Sequence, residues 1–268
     1  SIGFISYQEN LDSTMQNPLI LLTNDDGYDA PGIKALEKVA TLFGDVVKIA
    51  PDKPQSGMGH AITINSTLRI AKRESRDGFV GYQCTGTPVD CVKIGLDKIL
   101  DRKPDLIVSG INHGSNASIN VIYSGTMSAA VEGKIEGTPA IGFSLLDHSI
   151  DADFEAAQEY AKKIIEMALS KLEDKFCLNV NIPKAKSEFI RGIKYCRQAQ
   201  AKWVEEFDKR QDPSGQDYYW LTGHFEAYDH HQEDTDLWAL ENGFVSVVPI
   251  QYDMTDHQYL DRMKEWSS

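Results

Sequence analysis

The chain has 268 residues, 41% of them hydrophobic and 25% charged, with a formal net charge of −13. That length suits one large α/β domain with an elaboration and a substantial core, and the composition leaves little room for disorder. The negative balance opposes tracking along a nucleic-acid backbone or docking on anionic lipid, so neither a nucleic-acid polymer nor a membrane is an expected partner.

Residues 1–17 show no basic region, no sustained apolar stretch and no small-residue cleavage site, and no run in the chain approaches the roughly 20 apolar residues of a membrane span. They read as an N-terminal extension, in part non-native, with Met15 a candidate natural start, and a cytoplasmic address is expected. From Leu19 a buried run, LILLT, leads through Pro31 into a helix with apolar Ile33, Leu36, Val39, Ala40 and Phe43, and then into the strand VVKIAP at 46–51. Short strands are expected near 61–70 and 79–84, a helix over 87–100, a strand at 105–110, a helix over 126–136 and a strand at 138–145. A helix at 153–171 and the strand FCLNVNI at 176–182 extend the same alternation.

This order predicts a Rossmann-like, mostly parallel sheet with helices on both faces. The core is expected at 18–190 and 236–255 of a single domain spanning 18–268. Residues 191–235, rich in charge and aromatics around the turn Asp212-Pro213-Ser214-Gly215, read as a hairpin excursion. The strand at 244–250 and a C-terminal helix at 256–266, opened by a capping box from Thr255 to Gln258, close the chain. Cys84, Cys91, Cys177 and Cys196 are widely spaced and form no CxxC pair, which reads as buried thiols in a reducing compartment.

Asp25 and Asp26, in NDDG, fall where the first buried strand ends, the edge at which doubly wound folds bind ligands. They are either turn and cap residues or oxygen ligands of a hard cation such as Mg²⁺ or Mn²⁺. The second strand ends in APDKPQSGMGHAIT, where Ser56 offers a hydroxyl and Gly57 lets backbone approach a ligand. After the strand at 105–110 comes Asn112, whose amide oxygen can coordinate a cation, and Ser124, Gly125 and Thr126 stand where a helix begins, an N-cap or a phosphate cradle. Three strand-end loops with oxygen donors and glycines favour a metal-assisted phosphate site. GxxxxGK[ST] is absent, as is GxGxxG after the first strand. His60 and His113 are candidate substrate contacts or structural residues, His230 and His231 read as a solvated loop, and His148, His224 and His257 carry no usable spacing.

The pieces TNDDGYDAPG, APDKPQSGMGHAIT, GTPVDCV, PDLIVSGINHGSN, YSGTMSAAVEG and DTDLWALENGFVSVVPIQYDMT, in this order from Leu19 to Arg262, resemble the survival protein E (SurE) family of nucleotidases. The resemblance implies metal ligands at Asp25, Asp26, Ser56 and Asn112, phosphate-side residues at Ser124, Gly125 and Thr126, and one divalent cation per subunit. It implies hydrolysis of nucleoside 5′- or 3′-monophosphates, sometimes of short polyphosphate, and homodimers or homotetramers in which the C-terminal excursion is used in oligomerisation. Met58, His60, His113 and Ser115 depart from many relatives at positions that bear on base and sugar preference. In this reading Asp25 or Asp26 orients or deprotonates the attacking water. The rival from another class is a nucleotide-binding regulator on the same fold that turns nothing over.

Overall fold

Five successive apolar or small residues after Pro18 leave no polar face, so strand β1 (Leu19–Thr23) is buried on both sides. Helix α1 (Pro31–Ala40) starts on Pro31, whose missing N–H costs nothing in the first turn, and turns Ile33, Leu36, Val39 and Ala40 into the core. The computed structural model describes residues 17–74, 80–149 and 151–267; the readings made for residues 1–16 and for Met15 lie outside the described residues.

Beyond α1 the chain runs through β2 (Asp45–Pro51), β3 (Ile70–Glu74), β4 (Val80–Cys84), α2 (Pro88–Ile94), β5 (Leu106–His113), α3 (Gly125–Ile135), β6 (Ala140–Leu145), α4 (Glu155–Leu169) and β7 (Cys177–Ile182). There follow β8 (Ile193–Tyr195), the hairpin β9 (Ala201–Gln211) and β10 (Asp217–Ala227), α5 (Asp236–Glu241), β11 (Val245–Pro249) and α6 (His257–Lys264). The main sheet has nine strands in the order β3-β4-β2-β1-β5-β6-β7-β11-β8. From β4 to β7 neighbours are parallel; β3 is an antiparallel edge strand, and β11 runs antiparallel to β7. Ile33 and Leu36 of α1 share one core cluster with Ile164 and Ile165 of α4, while Cys91 and Val92 of α2 join Met127 and Ala130 of α3 in a second. The expected parallel sheet with helices on both faces is therefore present, and the four cysteines are buried free thiols.

The chain leaves β1 toward β2 on one side and returns at β5 on the other, so the strand order reverses between β1 and β5. In a parallel sheet this opens a crevice at the carboxyl ends. There β5 carries one extra residue: Ser109 pairs with Gly142, and the register then shifts so that Asn112 pairs with Ser144. Such a bulge bends the strand and re-aims the side chains beyond it. Helix α1 packs tightly on it, for a Cβ on Gly32 would lie 1.9 Å from the Ile111 carbonyl oxygen.

Several boundaries differ from expectation. Most of 61–70 is irregular, and only Ile70–Glu74 forms an exposed edge strand. The hydrogen bonds of the irregular part go to side chains instead of a ladder: the Thr63 amide and hydroxyl both donate to Asp90, and Ala61 accepts from the Thr87 hydroxyl. The helix expected to run unbroken to residue 100 becomes a π-helical turn at Gly95–Ile99. Ile193–Tyr195, expected inside the excursion, pairs with β11 and belongs to the main sheet. Helix α6 is capped by Asp256, whose carboxylate accepts from the Tyr259 amide, so the expected Thr255 capping box is corrected by one residue. The short helix α5 was not anticipated; Thr235 caps it.

Candidate active site

Asn24 folds the end of β1 back on itself, its amide donating to the Gly27 carbonyl at 2.9 Å and its oxygen accepting from the Gly27 amide at 3.3 Å. Gly27 sits at φ +103°, a conformation side chains resist. This turn sends Asp25 and Asp26 to different surroundings. Asp25 is 4% exposed and lies against the start of α3: a Cβ on Gly125 would stand 2.7 Å from the Asp25 Cβ. The Thr126 hydroxyl donates to Asp25 Oδ1, and the backbone amides of Asp25 and Thr126 also favour the ionised carboxylate. Asp26 is half-buried and its Oδ2 accepts from the His113 amide at 3.3 Å, tying β1 to the far side of the bulge.

Burial pushes the Asp25 carboxyl up to about 6, opposed by the Thr126 hydrogen bond and reinforced by the neighbouring Asp26. Asp26 is also raised, by burial against the lowering effect of the His113 amide. Two adjacent carboxylates that are costly to ionise create an unmet demand for positive charge.

Asp25, Ser56, Gly57, Asn112, His113 and Ser124 line one cavity of about 770 Å³. Asn112 turns its amide nitrogen to the Gly114 carbonyl at 2.9 Å, which leaves its oxygen as the available donor. The Ser56 loop is pinned beside the doublet by a 2.8 Å hydrogen bond from the Gln55 amide to the Asp25 carbonyl. Ser124 caps α3, accepting from the Met127 amide at 3.0 Å, so the positive end of that helix faces the cavity. Two carboxylates, a hydroxyl and an amide oxygen are hard donors that together carry two negative charges, a set that fits Mg²⁺ or Mn²⁺. Among the described residues there is no group of three or more His, Cys, Asp or Glu side chains that could hold a metal ion, so a cation here would depend on the neutral oxygens of Ser56 and Asn112 as well as on carboxylates.

Not every candidate lines this cavity: Asp26 is not among its lining residues and joins it through the His113 amide. Gly125 and Thr126 act on it through Asp25, as a close backbone contact and a hydrogen bond. His60 does not line it; its Nε2 lies 2.8 Å from the buried Glu132, which also takes Lys93 at 2.6 Å. That network fastens the glycine loop to α3 and, through His60 and then Lys93, holds the Glu132 carboxyl below its usual range. His230 and His231 are exposed, edge to face on one another, as a solvated loop would have them.

The cavity also takes residues that were not singled out as candidates, among them Asn116, Asn120, Tyr123, His148, Trp203, Phe225, Leu237 and Leu240; of these Asn120, His148, Trp203 and Phe225 lie outside the matched motifs. Asn116 is legible only in three dimensions, where its amide and carbonyl groups engage Asn181, Ser144 and Asn179 in a buried network. Trp203 and Phe225 come from the root of the hairpin, far away in sequence; clustered aromatics between 197 and 235 were the sole signal.

Fold and site together define a class: a Rossmann-like α/β protein whose switch-point cavity is lined by oxygen-donating side chains together with aromatic ones. A profile of the family described as Survival protein SurE matches residues 20–205. The chain is 60% identical over 254 residues to the 5′-nucleotidase SurE of Flavobacterium psychrophilum, covering 94% of this chain and 98% of that protein. It is 47% identical over 251 residues to the 5′-nucleotidase SurE of Bacteroides thetaiotaomicron, covering 92% and 95%. The crystal structure of the SurE protein from Aquifex aeolicus superposes with a TM-score of 0.80 at 40% identity, covering 94% of this chain and all of that one. The chain belongs to the survival protein SurE family.

Proposed function

We propose that the chain is a metal-dependent 5′-nucleotidase, hydrolysing nucleoside 5′-monophosphates to nucleoside and phosphate. Relatives of near-identical length bear the name 5′-nucleotidase SurE, and the nucleotidase reading rests on them. The observation that carries the chemistry is the convergence of Asp25, Ser56, Asn112 and Ser124, from the ends of β1, β2 and β5 and the N-cap of α3, on one cavity at the switch point.

In this proposal one divalent cation, Mg²⁺ or Mn²⁺, is held by Asp25, Asp26, Ser56 and Asn112. When bound it supplies Lewis-acid charge for the phosphoryl oxygens. The protein's own groups do the rest. Thr126 fixes the rotamer of Asp25 through its hydroxyl. The Ser124 hydroxyl and the N-terminus of α3 favour the negative charge that grows on the phosphoryl group. One of the two carboxylates, both of raised pKa, takes the proton of the attacking water. The 3′-monophosphates and short polyphosphate belong to the same proposal as further substrates of this phosphate end.

Homodimers or homotetramers are proposed from the surface the monomer leaves bare. The hairpin exposes Phe207, Tyr219, Trp220 and Leu221, and α6 buries none of its residues. A cytoplasmic address is proposed with them; no described helix is long and apolar enough to cross a membrane.

The test is phosphate release from a panel of nucleoside monophosphates by metal-stripped protein, with and without added Mn²⁺ or Mg²⁺, and with Asp25→Asn as control. Metal-dependent release that disappears in the variant is expected. Tight nucleotide binding by folded protein with no release under any metal would overturn the proposal in favour of a binding regulator.

A further inference from the structure

The cavity is longer in chemistry than phosphate hydrolysis requires. Its volume, about 770 Å³, lies in the range of small-molecule sites, roughly 300–1,000 Å³. Besides the hard oxygen donors, its lining includes Trp203 and Phe225, a directly opposed cross-strand pair at the root of β9 and β10. Past that pair the hairpin runs outward to its turn at Asp212–Gly215, so only the root reaches the site.

The Trp203 ring is held in place from two sides. Its indole N–H donates to Asn120 Oδ1 at 2.8 Å, and the Phe225 ring meets it edge-on, centroids 5.4 Å apart at 66°. Asn120 lies on the 3-10 turn Ser118–Ile122, two residues ahead of the loop that ends in Ser124. The same short segment therefore both sets the indole and leads to the phosphate side. Although anchored, Trp203 is still 42% exposed, so a face of its ring is open to a ligand in the cavity it lines. A ring already fixed in orientation loses little freedom when a flat ligand settles on it.

We propose that Trp203 is the platform on which the nucleobase of the substrate stacks, with Asn120 as the residue that positions its ring. This deepens the nucleotidase reading and rests on it. The site then recognises its substrate in two parts: phosphate at the doublet, and a planar heteroaromatic base, of any sequence identity, at the hairpin root. Stacking is tolerant of base type because every base offers a π-face.

The experiment compares a nucleoside 5′-monophosphate with ribose 5-phosphate, which keeps phosphate and sugar but has no base. Steady-state kinetics are measured on the full chain and on Trp203→Ala and Trp203→Phe. For Trp203→Ala the ratio of kcat/KM between the two substrates falls roughly 5- to 100-fold, the worth of one stacked base, and the change lies in KM for the nucleotide. Trp203→Phe restores most of the ratio. As a readout independent of turnover, a nucleoside monophosphate quenches the tryptophan fluorescence of the wild type more than that of Trp203→Phe. An unchanged ratio in Trp203→Ala, or equal loss on both substrates, would overturn the proposal and leave Trp203 a packing residue. A wild type that releases phosphate from ribose 5-phosphate but no faster from any nucleotide would also overturn it while sparing the phosphatase; release from neither would remove the nucleotidase reading itself.

Discussion

Asp25→Asn should remove activity and, in the metal-free protein, raise stability. The aspartate is 4% exposed, and burial lifts its carboxyl from 3.8 to about 6. Roughly two pKa units at about 1.4 kcal/mol each make the ionised side chain cost on the order of 3 kcal/mol. The folded-state pKa stands above the unfolded one, so the associated stability is fully present below 3.8 and is lost as pH rises through about 6. Asparagine has the same shape, carries no charge and can still accept the Thr126 hydroxyl through its oxygen. In chelator at about pH 8 the variant should therefore exceed the wild type by about 3 kcal/mol, or roughly 6–12 °C in Tm for a domain of this size. Near pH 4 the two should coincide. Thermal or urea unfolding at both pH values, with phosphate release measured alongside, checks the pair of effects. A variant no more stable than the metal-free wild type at pH 8 would refute the claim that Asp25 is held ionised at a cost.

Gly32→Ala places a Cβ 1.9 Å from the Ile111 carbonyl oxygen, so either α1 or the β5 bulge must move. A loss of about 3 kcal/mol or more by urea unfolding is expected, with reduced phosphate release although no site side chain has changed. Glu132→Ala leaves His60 and Lys93 without their shared carboxylate and loosens the loop that bears Ser56. Unfolding should show a cost of about 1–3 kcal/mol, and an unaltered Tm would argue that the loop is held elsewhere. Deleting residues 205–223 removes the exposed aromatic part of the hairpin but spares Trp203 and Phe225. Mass determination in solution should find a smaller assembly, and an unchanged one would count against the hairpin as an interface.

The core of the fold was legible because its signals are local. A strand buried on both faces must be apolar at every position, as LILLT is, and Pro31 followed by Ile33, Leu36 and Val39 can be little other than an amphipathic helix. The places of the candidate site residues could also be read locally: Asp25 and Asp26 come just after β1, Ser56 in the loop after β2, Asn112 at the end of β5 and Ser124 at the N-cap of α3. What escaped was set by distant partners. Residues 61–69 read as strand, but Asp90 and Thr87 claim their hydrogen bonds from 26 or 27 positions away. Ile193–Tyr195 reads as part of the excursion because its partner, β11, comes some 50 residues later. His60 stands beside the glycine loop in sequence, yet Glu132, on the neighbouring face of α3, draws it away from the cavity.

The same logic explains why Trp203 and Phe225 escaped as cavity residues. A hairpin whose tip faces solvent and whose root faces a cavity has one composition and two environments. Periodicity separates the two faces of a strand, not its two ends. Trp203 and Trp220 are both exposed tryptophans on this hairpin, at 42% and 59%, and nothing in their sequence neighbourhoods distinguishes them. They are told apart by Asn120, which lies 83 residues from Trp203 and fixes its indole over the site. If the tip serves assembly and the root serves the base, changes at Trp220 should alter mass and spare substrate selectivity, while changes at Trp203 should do the reverse. Each substitution thus acts as the other's control, because a general loss of hairpin structure would disturb both.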